Sequence, residues 1–271
     1  MITVQDEVYH YNVARWEALV EADALFTRPM LDLDPEKAQA YLGLERLGIP
    51  GDLAGRKVLC LAGGGGQQSA AFALLGADVT VLDISSGQLE RDRSAAEHYG
   101  VGIRTIQGDM RDLSALDDSS FDLVWHPYSL TFVPDSRIVF REVARVVQSG
   151  GRYYLMCANP FFSGLTHESW NGEGYTLKQP YTDEVAACYP DQDWVYDRKP
   201  AGRRIHEPKE YRQTLSRIIN SLIREGFMLT FLSEVRGDYP GAEPGSWAHF
   251  TGVAPPWLEF VWQHRPDALG R

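Results

Sequence analysis

Between Lys57 and Cys157 the chain repeats one unit: a short apolar run, then a longer stretch of helical pattern, then a break. Lys57–Leu61 reads as a strand, followed by a glycine cluster and a helix from about Gln67 to Leu75, closed by Gly76. Asp78–Leu82 is the next strand, and a helix through Gln88–Tyr99 closes at Gly100. Ile103–Gln107 and Phe121–Trp125 give two more strands. Asp135 can cap a helix carrying Ile138, Val139, Val143, Val146 and Val147, stopped at Gly150–Gly151, before a fifth strand at Arg152–Cys157. Strands joined by helices at this spacing must run parallel, with helices on both faces, so the fold class is α/β.

The flanks lack this rhythm. Tyr9, Val13, Trp16 and Val20 recur at spacings of four, three and four, a helical stripe. Leu31–Leu47 is a second amphipathic stretch, ended by Gly48 and Pro50. After Asn159 the alternation stops for 45 residues, which hold Phe161, Phe162, Trp170, Tyr175, Tyr181, Tyr189, Trp194 and Tyr196. Glu210–Arg224 returns to a helix ended by Gly226, and Phe227–Val235 and Trp257–His264 read as final strands. A Gly/Pro-rich loop with Tyr239, Trp247 and Phe250 joins those two strands. Four parts are expected: a helical cap (1–50), a core (51–158), an aromatic insert or lid (159–203) and a segment that completes the sheet (204–271).

Composition narrows the function classes. Net charge is −11, from 37 acidic and 26 basic residues, which repels a phosphate backbone, and Arg91/Arg93 and Arg203/Arg204 are pairs rather than a basic stripe. Nucleic acid is therefore not an expected partner. No apolar run approaches the ~20 residues of a membrane helix, and no basic segment followed by an apolar one opens the chain. Cys60, Cys157 and Cys188 are odd in number and far apart, which suits a reducing compartment and points to the cytoplasm. The seven histidines are scattered and no cysteine pair has ligand spacing, so no metal is expected.

Three motifs carry chemistry. Ala62-Gly63-Gly64-Gly65-Gly66 lies between a strand and a helix, where glycines permit a sharp turn and bring a ligand to the helix N-terminus. Asp83 ends the second strand, where an acid can accept both hydroxyls of a ribose. Its simpler reading is a turn residue capping the next helix. Gly108-Asp109-Met110 follows the third strand, where an acid can accept an exocyclic amine of adenine while methionine covers the ring; alone, the tripeptide reads first as a simple turn.

Together, Val58–Gly66, Val79–Ser85, Gln107–Leu113, Phe121–Asp135 and Arg145–Gly151 resemble the successive motifs of class I S-adenosylmethionine-dependent methyltransferases. The resemblance implies a Rossmann-like doubly wound seven-stranded sheet, order 3-2-1-4-5-7-6 with the last strand antiparallel. It also implies S-adenosylmethionine as cofactor and S-adenosylhomocysteine as product. Ala62, Gly63, Gly64 and Gly66 would wrap the methionine part, Asp83 the ribose, and Ile84, Asp109 and Met110 the adenine. His126 would lie near the methyl group, and Tyr11 near the carboxylate end. Two positions depart from the family pattern: Cys60 stands where an acid is usual, and Ala62 where glycine is usual.

Methyl transfer from a sulfonium is an in-line displacement, so alignment matters more than a dedicated base. Candidate bases are His126 and His206, each read more readily as a structural residue, with Tyr128 a further catalytic candidate, and Tyr128 and Ser129 could line an acceptor pocket. The insert's aromatic residues suit a small planar, hydrophobic or cationic acceptor, or serve as the insert's own core. Its seven acids and four bases do not favour an anionic one. Two other readings remain open: a degenerate fold acting as ligand sensor or scaffold, supported by Cys60 and Ala62, and an NAD-dependent oxidoreductase. Against the latter, Ser69 occupies the place where a dinucleotide fingerprint wants Gly or Ala.

Overall fold

The computed structural model describes residues 5–177, 180–188, 205–237 and 240–269. Seven strands form one sheet: β1 (Lys57–Leu61), β2 (Asp78–Asp83), β3 (Ile103–Gln107), β4 (Phe121–His126), β5 (Val147–Ala158), β8 (Phe227–Val235) and β9 (Trp257–His264). Their order is β3-β2-β1-β4-β5-β9-β8. The five strands from β1 to β5 pair in parallel, whereas β9 runs antiparallel to both β5 and β8. Once the two short strands below are set aside, this is the expected order with the last strand reversed.

Helices cover both faces. α2 (Pro35–Leu42), α3 (Gln68–Leu74) and α4 (Ser86–Tyr99) lie on one side, where Val58, Cys60, Val79, Val81, Leu123 and Trp125 point. α5 (Ser136–Val146) and α6 (Leu215–Arg224) lie on the other, over Leu59, Leu61, Val124, Tyr153, Phe260 and Trp262. The period-two alternation along β1 and β4 feeds both cores, and that double burial is why these strands read as near-continuous apolar runs. α1 (Glu7–Glu21) crosses the C-terminal edge of the sheet. Its Asn12 Nδ2 donates to the Phe132 carbonyl (3.0 Å), and its Glu17 carboxylate accepts from Ser86 Oγ (3.1 Å) and the Gly87 N–H (3.3 Å).

Four sequence expectations need correction. The helix expected over Glu210–Arg224 starts only at Leu215, because Thr214 caps it by accepting the Arg217 N–H. Lys209–Tyr211 instead forms β7, paired with β6 (Ala186–Cys188) inside the region expected to lack alternation. The stretch Leu31–Leu47 holds a helix over Pro35–Leu42 only, closed by Gly43 in the left-handed region (φ 59°). β5 begins at Val147, ahead of Gly150–Gly151, and a register shift between Phe121 and Leu123 absorbs the extra residues. In addition, Trp247–Val253 forms α7 within the expected loop, with Ser246 as its cap. Tyr189, Trp194, Tyr196, Arg203, Arg204 and Tyr239 lie outside the described residues.

Candidate active site

The glycine loop is shaped by two buried carboxylates. Asp83 ends β2 and accepts the Gly64 N–H on Oδ2 and the Ser85 N–H on Oδ1, each at 2.9 Å. Burial pushes its carboxyl up to about 6. Asp92, one helical turn beyond Gln88 on α4, accepts the N–H groups of Gly65 (3.1 Å) and Gly66 (3.0 Å) and the Ser69 hydroxyl (2.5 Å). Burial above all, with the nearby Asp83 charge adding to it, pushes this carboxyl up to about 7. Sequence reasoning missed Asp92. The signal was present in the inward stripe of α4, where Gln88, Leu89, Asp92 and Ala95 are all buried.

At two of its glycines the loop leaves no room for a side chain. A Cβ at Gly64 would stand 2.8 Å from Gln88 Cβ and 3.0 Å from Asp83 Oδ2. One at Gly66, whose φ is 74°, would stand 2.7 Å from the Arg91 carbonyl oxygen. Ala62 opens the loop at φ 47°, the left-handed region that an L-residue enters only at a cost. Its N–H still donates to the Leu82 carbonyl at 2.7 Å, so alanine keeps the turn that glycine would make without strain. Gly63 packs against Pro127.

Cys60, at the position where an acid is usual, is wholly buried, and burial pushes its thiol well up, with the nearby Asp92 charge adding to the effect. Asp92 therefore supplies from α4 a carboxylate that β1 lacks. Gln88 Nε2 donates to the Gly64 carbonyl (3.3 Å), while Gln88 Oε1 is buried without a hydrogen-bond partner beside Asp83. An orphaned acceptor next to a carboxylate at a strand end fits the hydroxyl donors of a ribose.

Asp109 meets a cation from its own turn. Its carboxylate is gripped side-on by Arg111, with Nε at 3.0 and 3.1 Å from the two oxygens and Nη2 at 2.7 Å. The same guanidinium reaches Asp6, the N-cap of α1, at 2.8 and 3.0 Å. Arg111 thereby ties the start of α1 to the turn after β3 and holds the Asp6 carboxyl down at about 2. Met110 is buried in the core beside that turn, and Ile84 is half-buried with its carbonyl accepting Gln107 Nε2 (3.2 Å).

The other candidates separate. His126 ends β4 fully buried, with Nδ1 2.8 Å from the Tyr153 hydroxyl, and burial pushes its imidazole down to about 3. It is thus neutral near pH 7 and a weak base, and it is walled off from solvent. His206 is exposed and its ring lies 5.9 Å from that of Tyr11. Tyr11 directs its hydroxyl to the Glu207 carbonyl (2.6 Å), with Lys209 Nζ 4.2 Å above its ring, so it braces α1 against the 206–209 segment. Tyr128 follows the strand at φ 45°, and its hydroxyl lies 3.5 Å from the Glu210 carboxylate. A strained tyrosine beside the buried, unpartnered Ser129 hydroxyl marks the segment after β4 as a constructed surface.

A glycine loop between β1 and α3, an acid ending β2, and a second acid after β3 stand at one edge of a sheet whose last strand is reversed. The methyltransferase domain family matches residues 59–155. YbaJ, an uncharacterized methyltransferase of Bacillus subtilis (strain 168), is 36% identical over 190 residues, covering 69% of this chain and 71% of that protein. The chain belongs to the class I S-adenosylmethionine-dependent methyltransferases. Among other members, the ubiquinone biosynthesis O-methyltransferase of Xanthomonas oryzae pv. oryzae (strain PXO99A) is 34% identical over 108 residues. That match spans only 40% of this chain and 45% of that enzyme. The S-adenosylmethionine-dependent methyltransferase of Mesorhizobium loti shares the fold, with a TM-score of 0.61 at 23% identity, covering 87% of this chain and 100% of that one. Among the described residues of this methyltransferase, no cluster of three or more His, Cys, Asp and Glu could hold a metal ion, and no helix is long and apolar enough to cross a membrane.

Proposed function

We propose that this methyltransferase binds its methyl donor along the edge formed by Ala62–Gly66, Asp83 and the turn at Asp109, and transfers the methyl group to a small molecule. When bound, S-adenosylmethionine supplies an activated methyl group on a sulfonium. The observation that carries the reading is the cradle at Gly64. Its backbone passes so close to Asp83 and Gln88 that no side chain fits, while Gln88 Oε1 is left without a donor. The cradle and the orphaned acceptor fit a ribose, for which Asp83 and Gln88 supply the acceptors. Ile84 and Met110 flank the adenine, and Asp109, oriented by Arg111, faces its amine. The residues at the end of β4, from His126 to Ser129, bound the place where donor and acceptor meet.

The protein's own contribution is alignment and exclusion of water. α1 closes the edge from above through Asn12 and Glu17, and the Asp6–Arg111–Asp109 chain fixes where it starts. His126 is a neutral imidazole near pH 7 and is fully buried, so we assign it to positioning β4 against β5 rather than to proton transfer. His206 and Tyr128 stay as candidates to line the acceptor pocket.

The acidic net charge supports a small molecule over a nucleic acid, as does the similarity to methyltransferases of ubiquinone biosynthesis. The division into a cap (1–50), a core (51–158), an insert (159–203) and a completing segment (204–271) belongs to this proposal. So does a cytoplasmic location, which the buried free thiols of Cys60 and Cys157 suit. Calorimetric titration with S-adenosylmethionine, S-adenosylhomocysteine and NADH tests the reading. Micromolar binding of both sulfur nucleotides, lost in Asp83→Ala and absent for NADH, is the expected result. A folded protein that gives no heat with either sulfur nucleotide would point instead to a scaffold.

A further inference from the structure

Arg212 follows β7 and is 4% exposed, yet among the described residues no carboxylate lies within ion-pair distance of it. Its Nη1 donates to the Pro180 carbonyl and its Nη2 to the Ser163 carbonyl (3.3 Å), whereas its buried Nε has no partner among the described residues. Two carbonyl dipoles orient the guanidinium, and no described acid pairs with its charge. A charge kept out of water is costly unless something pairs with it. Arg212 is one of the residues that line a cavity of about 130 Å³. Phe161, Leu165, Leu177 and Tyr181 supply the apolar lining and Ser163 a polar contact. Phe161 and Tyr181 stand with ring centroids 5.1 Å apart and are both largely exposed, so the cavity has an aromatic rim and a cationic wall.

The segment that carries Arg212 also reaches the turn after β4. Two residues before Arg212, the Glu210 carboxylate accepts from Thr131 Oγ1 (3.3 Å); one residue after it, Gln213 Nε2 donates to the carbonyls of Val133 (2.9 Å) and Pro134 (3.1 Å). A single backbone segment therefore links the cavity to the turn that follows β4.

We propose that Arg212 is the anion-binding residue of the acceptor pocket and takes a carboxylate carried on an apolar body about the size of one aromatic ring. The volume accommodates about one ring, and a guanidinium with an unused Nε–H suits the side-on approach of a carboxylate. The insert's acidic composition does not select for such a ligand; one buried, uncompensated charge does. The assignment of this pocket to the methyl acceptor rests on the function proposed above, whereas the anion site itself does not.

The test is calorimetric titration of the full chain, with and without saturating S-adenosylhomocysteine, using benzoate and its neutral counterpart benzamide. Benzoate should bind at least about tenfold more tightly than benzamide. Arg212→Gln should erase that difference while S-adenosylhomocysteine affinity stays within about twofold, and Arg212→Lys should keep part of it. Equal binding of the two probes, no binding of benzoate, or unchanged benzoate affinity in Arg212→Gln would overturn the proposal. Should Arg212→Gln fail to fold, the benzoate–benzamide contrast in the unmodified chain still decides. Benzoate binding in a protein that never binds S-adenosylhomocysteine would sustain the anion site and sink the cofactor reading, so the two fail separately.

Discussion

Two regions of the molecule bury charge in opposite ways. At the glycine loop, Asp83 and Asp92 are both buried, and among the described residues neither has a lysine or arginine within ion-pair distance. Backbone N–H groups and a hydroxyl are their partners. Just beyond the insert, Arg212 is buried with backbone carbonyls as its partners and no acid among the described residues. Elsewhere the protein pairs such groups in the ordinary way, as Arg111 with Asp109 and Arg46 with Glu259. The contrast teaches that burial alone does not make a ligand site. The informative positions are those where one sign of charge is kept and the protein supplies only dipoles to hold it.

The acidic side is most sharply broken at Gly64. Gly64→Val should reduce S-adenosylhomocysteine affinity by more than about a hundredfold, because the added side chain would have to displace Asp83 or Gln88. Equilibrium titration of a folded variant checks it, and near-normal affinity would show that the cradle is not where the ligand lies.

Asp92→Asn sharpens the comparison by leaving shape and removing charge. The amide can accept on one atom only, so its nitrogen would face a donor, and a loss of about 1–3 kcal/mol is expected in thermal or denaturant unfolding. The folded carboxyl lies at about 7, above the usual range for aspartate, so its contribution to stability is full at low pH and fades as pH rises through about 7. The deficit of the variant should therefore grow as pH falls from about 7 toward about 4.

Binding should show a related dependence through Asp83. If the carboxylate accepts ribose hydroxyls, protons compete with the ligand below about 6. S-adenosylhomocysteine affinity should then fall about tenfold between about pH 7.5 and about pH 5, and Asp83→Asn should be weak but flat. A wild-type profile without that fall would remove Asp83 from the binding edge.

The smallest effect is expected at Ala62. Relieving its left-handed backbone with Ala62→Gly should add up to about 1 kcal/mol, or a rise of about 2–4 °C in melting temperature. Cofactor affinity should not fall, since the departure from the family's glycine is already accommodated.

The sheet was legible because its signals are local and repeated. Each of β1 to β4 is a run of β-favouring residues between breaks, and each break lies within a residue or two of its expected place. The glycine loop and Asp83 were legible for the same reason: both lie where a strand hands over to a helix. Sequence order put Tyr11 on the first helix and Asp109 just past β3. Their partners, Glu207 and Arg111, belong to side-chain geometry that order does not encode. The helix start at Leu215 was missed because Tyr211 continues a helical stripe. Pairing with β6 and the buried side chains of Arg212 and Gln213 override that local preference.

By itself, then, the sequence determined the α/β alternation, the turn chemistry and the order of motifs along one sheet edge. These follow from periodicity and from backbone requirements confined to a few neighbouring residues. Only the tertiary structure decided which charges are left uncompensated. Asp92 meets the glycine loop from 26 residues away, Arg111 joins Asp109 to the start of α1, and Arg212 is sealed behind segments 32 and 49 residues distant. Desolvation depends on everything packed around a group, so no local pattern can report it.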